Sequence, residues 1–306
     1  MADVTVELVG LTLKNPTILA SGVMSSDKAS LKKVACGGAG AVTMKSITRE
    51  PRPGHPNPTV IQVEGGIMNA MGYCNMGLDN AKTEFTGVSS VGVPVFASIV
   101  AEDAKGFAYL ARELSSFEFS AIEAVLSCPH TPGFGLLAGQ GTPEATYEIT
   151  KAVKKATKLP VIVKLSPNTM NLGETAKSAV KGGADAINMG NSLGPGMVIE
   201  TTLGKPVLAF KVGGMSGPAI KPIAVRCVYD VYEATSGKTE IIGTGGVISG
   251  VDAVEMMMAG ATAVGVGTGV YYRGMDVFRM ISKEVEEYMS ANGVRKLKDL
   301  VGVAHG

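Results

Sequence analysis

A thiol, two lysines and a set of glycine pairs are the residues of this chain best suited to chemistry. Cys128 sits in Ser127-Cys128-Pro129-His130, past an apolar run and before a proline. A thiol held near a substrate and partly ionised acts as a general base. Taken alone, a cysteine is a small buried filler, and that is how Cys36, Cys74 and Cys227 read. Lys45 and Lys164 each close an apolar run, Val42-Thr43-Met44-Lys45 and Val161-Ile162-Val163-Lys164. A cation there is costly unless it meets an anion or a polar ligand. Snorkelling at a rim is the plain alternative, and a Schiff-base role for Lys164, as in an aldolase, is a third. Gly245-Gly246 and Gly267-Thr268 follow apolar runs. They suit a phosphate cradled by backbone N–H groups, or simply tight turns. His130 either assists the thiol or only hydrogen-bonds, and His55 and His305 have no neighbouring ligand pattern.

These residues lie far apart, so the fold must gather them. Val4–Leu8 and Leu11–Lys14 flank Val9-Gly10 and read as an opening hairpin. Candidate strands follow at Thr17–Ser21, Ala41–Ser46, Val93–Val100, Ala121–Ser127, Pro160–Ser166, Ala186–Asn191, Glu240–Gly245 and Ala263–Thr268. Helical periodicity fills the gaps at Leu31–Cys36, Ala104–Leu114, Pro143–Thr157, Leu172–Lys181, Ile220–Ala234, Gly250–Ala259 and Asp276–Ser290. Eight strand–helix repeats over about 250 residues predict an α/β fold closed into a (β/α)8 TIM barrel, a single domain over residues 1–306 with a small N-terminal β-hairpin. A doubly wound open sheet is the alternative, weakened because no G-x-G-x-x-G opens a helix after the first strand. In a barrel all strand ends converge on one mouth, so Ala20-Ser21-Gly22, Lys45-Ser46, Cys128, Lys164, Asn191-Ser192, Gly245-Gly246 and Gly267-Thr268 become one constellation. The last two pairs follow strands seven and eight, the usual phosphate site of barrels. A reduced flavin, negative on its pyrimidine side, suits the two lysines. Two Gly/Pro-rich excursions, Glu50–Pro58 continuing to Asn75 and Cys128–Thr142, follow strands two and four and suit lids over the mouth.

Composition excludes several classes. Hydrophobic residues make up 45% and charged residues 18%, enough apolar content for a large core. Net charge is +1 with no long basic run, which argues against nucleic acid as a partner. The four cysteines form no CxxC pair, so neither a metal site nor a chain-borne iron–sulfur cluster is expected, and reduced cytoplasmic thiols are. Met1–Thr5 carries no signal-peptide pattern. No uncharged apolar run approaches the roughly 20 residues of a bilayer span.

Several longer runs carry a resemblance. They are Thr43-Met44-Lys45-Ser46 with Glu50-Pro51-Arg52-Pro53-Gly54; Met68-Asn69-Ala70-Met71-Gly72 with Asn75-Met76-Gly77; Ser127-Cys128-Pro129-His130; Val163-Lys164-Leu165-Ser166-Pro167-Asn168; Gly213 through Pro222; and Gly243-Thr244-Gly245-Gly246. Together, over nearly the whole chain, they resemble the dihydroorotate dehydrogenase family. The cysteine at position 128 points to its soluble class 1, and the chain looks closer to the 1B type, including archaeal members, than to 1A. The stretch from Ser127 to Gln140 also resembles the pyrimidine-reducing domain of dihydropyrimidine dehydrogenase.

The resemblance implies a cytoplasmic FMN enzyme that oxidises dihydroorotate to orotate in pyrimidine biosynthesis. It implies a homo-oligomer paired with an FAD and iron–sulfur subunit that passes electrons to NAD. Ala20, Ser21 and Gly22 would back the flavin ring, and Lys45, Ser46 and Lys164 would lie at it. Gly217, Gly245, Gly246, Gly267 and Thr268 would hold the ribityl phosphate. Asn191 would touch flavin and substrate. Asn69, Met71, Gly72, Ser192 and Lys45 would line the substrate, and Cys128 would take the C5 proton while hydride leaves C6. Two positions depart from the family pattern: Val125 and His130 stand where asparagines are usual, three before and two after the cysteine. The first asparagine is a polar contact to the ring, so Val125 bears on which ring is bound. Tyr73, where an aliphatic residue is common, bears on the same wall. The competing readings are a related FMN enzyme acting on another dihydropyrimidine and an FMN electron-relay subunit of a complex.

Overall fold

The computed structural model describes residues 2–128, 133–134 and 139–306. Val6–Leu8 and Leu11–Leu13 pair antiparallel as the expected hairpin, Val6 opposite Leu13. Val9 and Gly10 both take positive φ, 48° and 78°, the turn geometry whose twist matches a two-residue hairpin. The Val9 N–H donates to Glu240 Oε2 at 2.6 Å, tying the hairpin to the barrel. Val6, Leu8 and Leu13 pack on Ile18, Phe96, Ala121, Ile162, Ala186 and Ile242 from the barrel strands. The hairpin therefore plugs the end of the barrel opposite the mouth.

Eight strands close the barrel: Thr17–Leu19, Ala41–Thr43, Val95–Ile99, Ala121–Val125, Val161–Leu165, Ala186–Met189, Glu240–Thr244 and Ala263–Val266. All neighbours run parallel, and the eighth pairs with the first, Val264 opposite Thr17. These are the expected eight, each stopping short of its predicted end. The apolar run continues past the last ladder bond because residues beyond it still line the interior of the mouth. The helices Ala104–Leu114, Pro143–Ala156, Leu172–Gly182, Lys221–Ala234, Gly250–Met258 and Val277–Ala291 agree with expectation to within a residue at either end. The helix Lys28–Cys36 starts three residues earlier than periodicity predicts, because Asp27 caps it by accepting from the Ser30 N–H at 2.7 Å. Two short helices, Leu78–Glu84 and Gly269–Arg273, were not anticipated.

The first excursion is not a plain loop. It holds a hairpin, Val60–Val63 with Gly66–Asn69, that joins Leu193–Gly196 and Gly213–Ser216 in a four-stranded antiparallel sheet. All its segments leave the carboxyl ends of barrel strands, so the sheet stands over the mouth. Gly213 and Gly214 have no side chain because none fits: a Cβ on Gly213 would lie 2.6 Å from Asn69 O, and one on Gly214 would collide with Ser192 Oγ.

Candidate active site

A cavity of about 360 Å³ opens at the mouth, within the usual range for a small-ligand site. Every residue assigned to the site from the sequence lines it: Ala20, Ser21, Gly22, Lys45, Ser46, Asn69, Met71, Gly72, Cys128, Lys164, Asn191, Ser192, Gly217, Gly245, Gly246, Gly267 and Thr268. Tyr73, Val125, Ser216, Ile220 and Thr244 also line it. His130 lies outside the described residues. Cys36 and Cys74, read as buried fillers, are exposed instead, and Cys227 is buried. Cys36 ends a helix and Cys74 sits in the first excursion, so neither reaches the core.

The two lysines differ in how they are held. Lys164, only 5% exposed, donates from Nζ to Ser21 Oγ at 3.2 Å. Lys45 is half-buried, and its Nζ makes no hydrogen bond or ion pair with the described residues. Burial pushes its pKa down and the Lys164 cation adds to that, while the Cys74 and Cys128 thiols act the other way. The Lys45 ammonium is thus an unsatisfied cation at the cavity wall, the state that favours an anionic or electron-rich ligand.

Asn191 and Ser192 are braced from behind. Asn191 Nδ2 donates to Ser127 Oγ at 2.7 Å, and its Oδ1 accepts the Ser192 N–H at 2.7 Å. Asn168 Nδ2 donates to Ser192 O at 3.0 Å and its Oδ1 accepts the Gly194 N–H at 2.9 Å. The first excursion is pinned to the same mouth: Asn75 Oδ1 accepts the N–H groups of Thr48 and Gly77, at 3.2 and 2.9 Å. His55 stacks on Phe210 with ring centroids 3.9 Å apart, a structural role for a residue with no chemical signal in the sequence.

Beneath the cavity lies a polar chain that sequence reading missed. Glu123, 1% exposed, accepts from Ser98 Oγ at 3.0 Å and from Asn188 Nδ2 at 2.7 Å. Asn188 Oδ1 in turn accepts from Thr244 Oγ1 at 2.8 Å, and Ser98 Oγ meets Ser46 Oγ at 2.9 Å. Ser46 and Thr244 line the cavity, so the chain links opposite walls through the barrel interior.

The glycines of the cavity suit a bound phosphorylated group. A Cβ on Gly22 would point at Lys45 Nζ, 3.7 Å away, and one on Gly267 would stand 3.8 Å from Ala20 Cβ. Nothing else lies within 4 Å of either, so bare backbone leaves space that a side chain would fill. Gly217, Gly245 and Gly246 take φ of 115°, 142° and 75°, conformations that let backbone N–H groups form an anion cradle.

Comparison with known proteins gives the family. The profile of the family described as Dihydroorotate dehydrogenase matches residues 3–289. The chain belongs to the dihydroorotate dehydrogenase family. It is 43% identical over 302 residues to the dihydroorotate dehydrogenase B (NAD(+)) catalytic subunit of Methanocaldococcus jannaschii, covering 97% of both chains. It is 44% identical to the protein of the same name from Methanothermobacter thermautotrophicus, again covering 97% of each. This is the archaeal, class 1B branch of a family of flavin-dependent oxidoreductases that act on a CH–CH bond. The fold also matches a crystal structure of DHODH from Eimeria tenella in complex with ferulenol, with a TM-score of 0.86 at 24% identity, over 99% of this chain and 89% of that one. Among the described residues, no helix of this family member is long and apolar enough to cross a membrane.

Proposed function

We propose that this protein is a single-domain FMN enzyme that oxidises dihydroorotate to orotate, with Cys128 as the base. The observation that carries the reading is that Cys128, 6% exposed, shares one cavity with Lys45, Lys164 and the glycine cradle. Bound FMN supplies the two-electron acceptor. Its phosphate would lie at Gly217, Gly245, Gly246, Gly267 and Thr268, and its ring against Ala20, Ser21, Gly22, Ser46, Lys45 and Lys164. Asn69, Met71, Gly72, Asn191, Ser192 and Lys45 orient the substrate over the thiol. In the reaction the C5–H bond breaks and its proton goes to Sγ of Cys128. The C6–H bond breaks with its electron pair leaving as hydride, and the C5=C6 double bond forms. Cys128 acts only as thiolate, and Lys45 lines the same cavity. The sheet over the mouth limits water, which strengthens these charge interactions.

The relatives' name, a B-type NAD(+) catalytic subunit, supports a partner subunit; we propose that this partner carries FAD and an iron–sulfur cluster and passes electrons onward, and that the enzyme is a cytoplasmic homo-oligomer. A second reading, a neutral dihydropyrimidine as substrate, is favoured by Val125, an apolar side chain on the cavity wall. The test is anaerobic mixing of the FMN-loaded protein with dihydroorotate while following the oxidised flavin band. Rapid bleaching that is lost in Cys128→Ala supports the proposal. No bleaching in a protein that dithionite still reduces refutes it, and bleaching by dihydrouracil or dihydrothymine instead selects the second reading.

A further inference from the structure

The polar chain beneath the cavity has a fixed direction. Both side-chain oxygens of buried Glu123 are occupied: Oε1 accepts from Ser98 Oγ at 3.0 Å and Oε2 from Asn188 Nδ2 at 2.7 Å. A carboxylate has no proton to give, so both neighbours must donate to it. Ser98 has one hydroxyl proton, and Glu123 takes it. The 2.9 Å contact between Ser98 Oγ and Ser46 Oγ is therefore made with the Ser46 proton. On the other arm, Asn188 turns its amide nitrogen to Glu123, which leaves Oδ1 to accept the Thr244 hydroxyl at 2.8 Å. Ser46 and Thr244 line the cavity. With their protons drawn into the barrel, both hydroxyls have only lone pairs to offer a ligand there.

We propose that Glu123 is a positioning residue that sets the hydrogen-bond polarity of the cavity, holding Ser46 and Thr244 as acceptors for N–H and O–H groups of the bound flavin. The inference rests on FMN as the occupant of the cavity, and not on which ring it oxidises. FMN carries such donors in its ring N–H and its ribityl hydroxyls. Packing alone does not call for a charge here, since the rest of the strand, Ala121, Ile122, Ala124 and Val125, is apolar and buried. A buried carboxylate is costly, but it accepts at both ends. Glutamine has nearly the same size and accepts at one end only. If its N–H faces Ser98, that hydroxyl turns to Ser46 and the Ser46 proton is released towards the cavity. If its N–H faces Asn188, the amide there reverses and the Thr244 proton is released instead. Either way one acceptor of the cavity becomes a donor.

The experiment is fluorescence titration of FMN into the flavin-free full-length proteins. Glu123→Gln is expected to weaken binding about tenfold, because a donor then faces a donor. Ser46→Ala combined with Thr244→Val removes both hydroxyls at little change in shape. In that background Glu123→Gln should alter affinity by less than about twofold, since no hydroxyl is left to reverse. A merely structural Glu123 would weaken binding by the same factor in both backgrounds. Equal affinity in Glu123→Gln and wild type, or an equal loss with and without the two hydroxyls, overturns the proposal. Ser98→Ala tests it without altering Glu123: the arm to Ser46 is cut, its proton is free among three staggered positions, and affinity should fall about threefold. Unchanged affinity there also overturns the proposal. Wild-type protein that takes up no FMN would reject the flavin reading and this one with it. Wild type that binds FMN no better than Glu123→Gln rejects this proposal alone.

Discussion

Replacing Glu123 with alanine removes an acceptor shared across the barrel interior. Its carboxyl meets Ser98 on the adjacent strand and Asn188 two strands away, a reach open only to inward-pointing side chains. Both donors are buried, at 0% and 3% exposure. A buried donor left without its acceptor costs about 1–3 kcal/mol. Ser98 keeps Ser46 Oγ at 2.9 Å and so falls at the low end, while Asn188 Nδ2 loses the bond it makes and falls at the high end. Together with the vacated volume, the loss is about 3–5 kcal/mol. For a chain of this length that is a fall in Tm of about 6–10 °C, at roughly 2 °C per kcal/mol. Glu123→Gln retains an oxygen for Asn188, and its amide N–H can face Ser98 Oγ once that hydroxyl turns toward Ser46. It should therefore lose less than about 1.5 kcal/mol. The assay is thermal unfolding of the flavin-loaded proteins at one scan rate, with the flavin spectrum recorded because Ser46 and Thr244 line the cavity. A Tm for Glu123→Ala within about 2 °C of wild type, or an equal loss in Glu123→Gln, would refute the argument from unmet donors.

Other perturbations have equally definite outcomes. In Gly246→Ala, a Cβ at φ 75° would lie 2.7 Å from Lys221 Cβ and 2.9 Å from Gly217 O. Flavin affinity should fall at least about tenfold by fluorescence titration, whereas Gly274→Ala, at φ 69° with nothing within 4 Å, should weaken stability alone. Burial works against the Asp252 carboxylate, but hydrogen bonds from Lys221, Ser249 and the Ile248 N–H hold its pKa below the usual range. Its contribution is therefore full above about pH 4 and drains away as the pH falls through that range. Urea unfolding should show wild type ahead of Asp252→Asn by about 2 kcal/mol at pH 7, the gap closing towards pH 3. Burial pushes the Cys227 thiol up to about 11. At pH 8 iodoacetamide should label Cys36 and Cys74 in the native protein and reach Cys227 only after unfolding, read by peptide mass spectrometry.

What could be read from the chain, and what could not, follows from the range of the interactions involved. Barrel strands and helices declare themselves through local periodicity and glycine punctuation, and the strand ends then gather Lys45, Cys128, Lys164 and the glycines with no further information. The sheet over the mouth has no such signature. Its strands are four residues long, Met68 pairs with Met215 far along the chain, and Gly213-Gly214 offers no side chain to show alternation. Tyr73 shows only as an unusual residue at a cavity wall, because its packing depends on where Phe134, far along the chain, comes to rest. Glu123 is different, for its signal was present. A carboxylate within Ala121-Ile122-Glu123-Ala124-Val125 is intolerable without partners. The neighbouring strands carry lone polar residues of their own in Val95-Phe96-Ala97-Ser98-Ile99 and Ala186-Ile187-Asn188-Met189. Parallel register sets Ser98 directly opposite Glu123. Lone polar residues on apolar barrel strands are best read together, since the interior that makes each costly alone is also what brings them into contact.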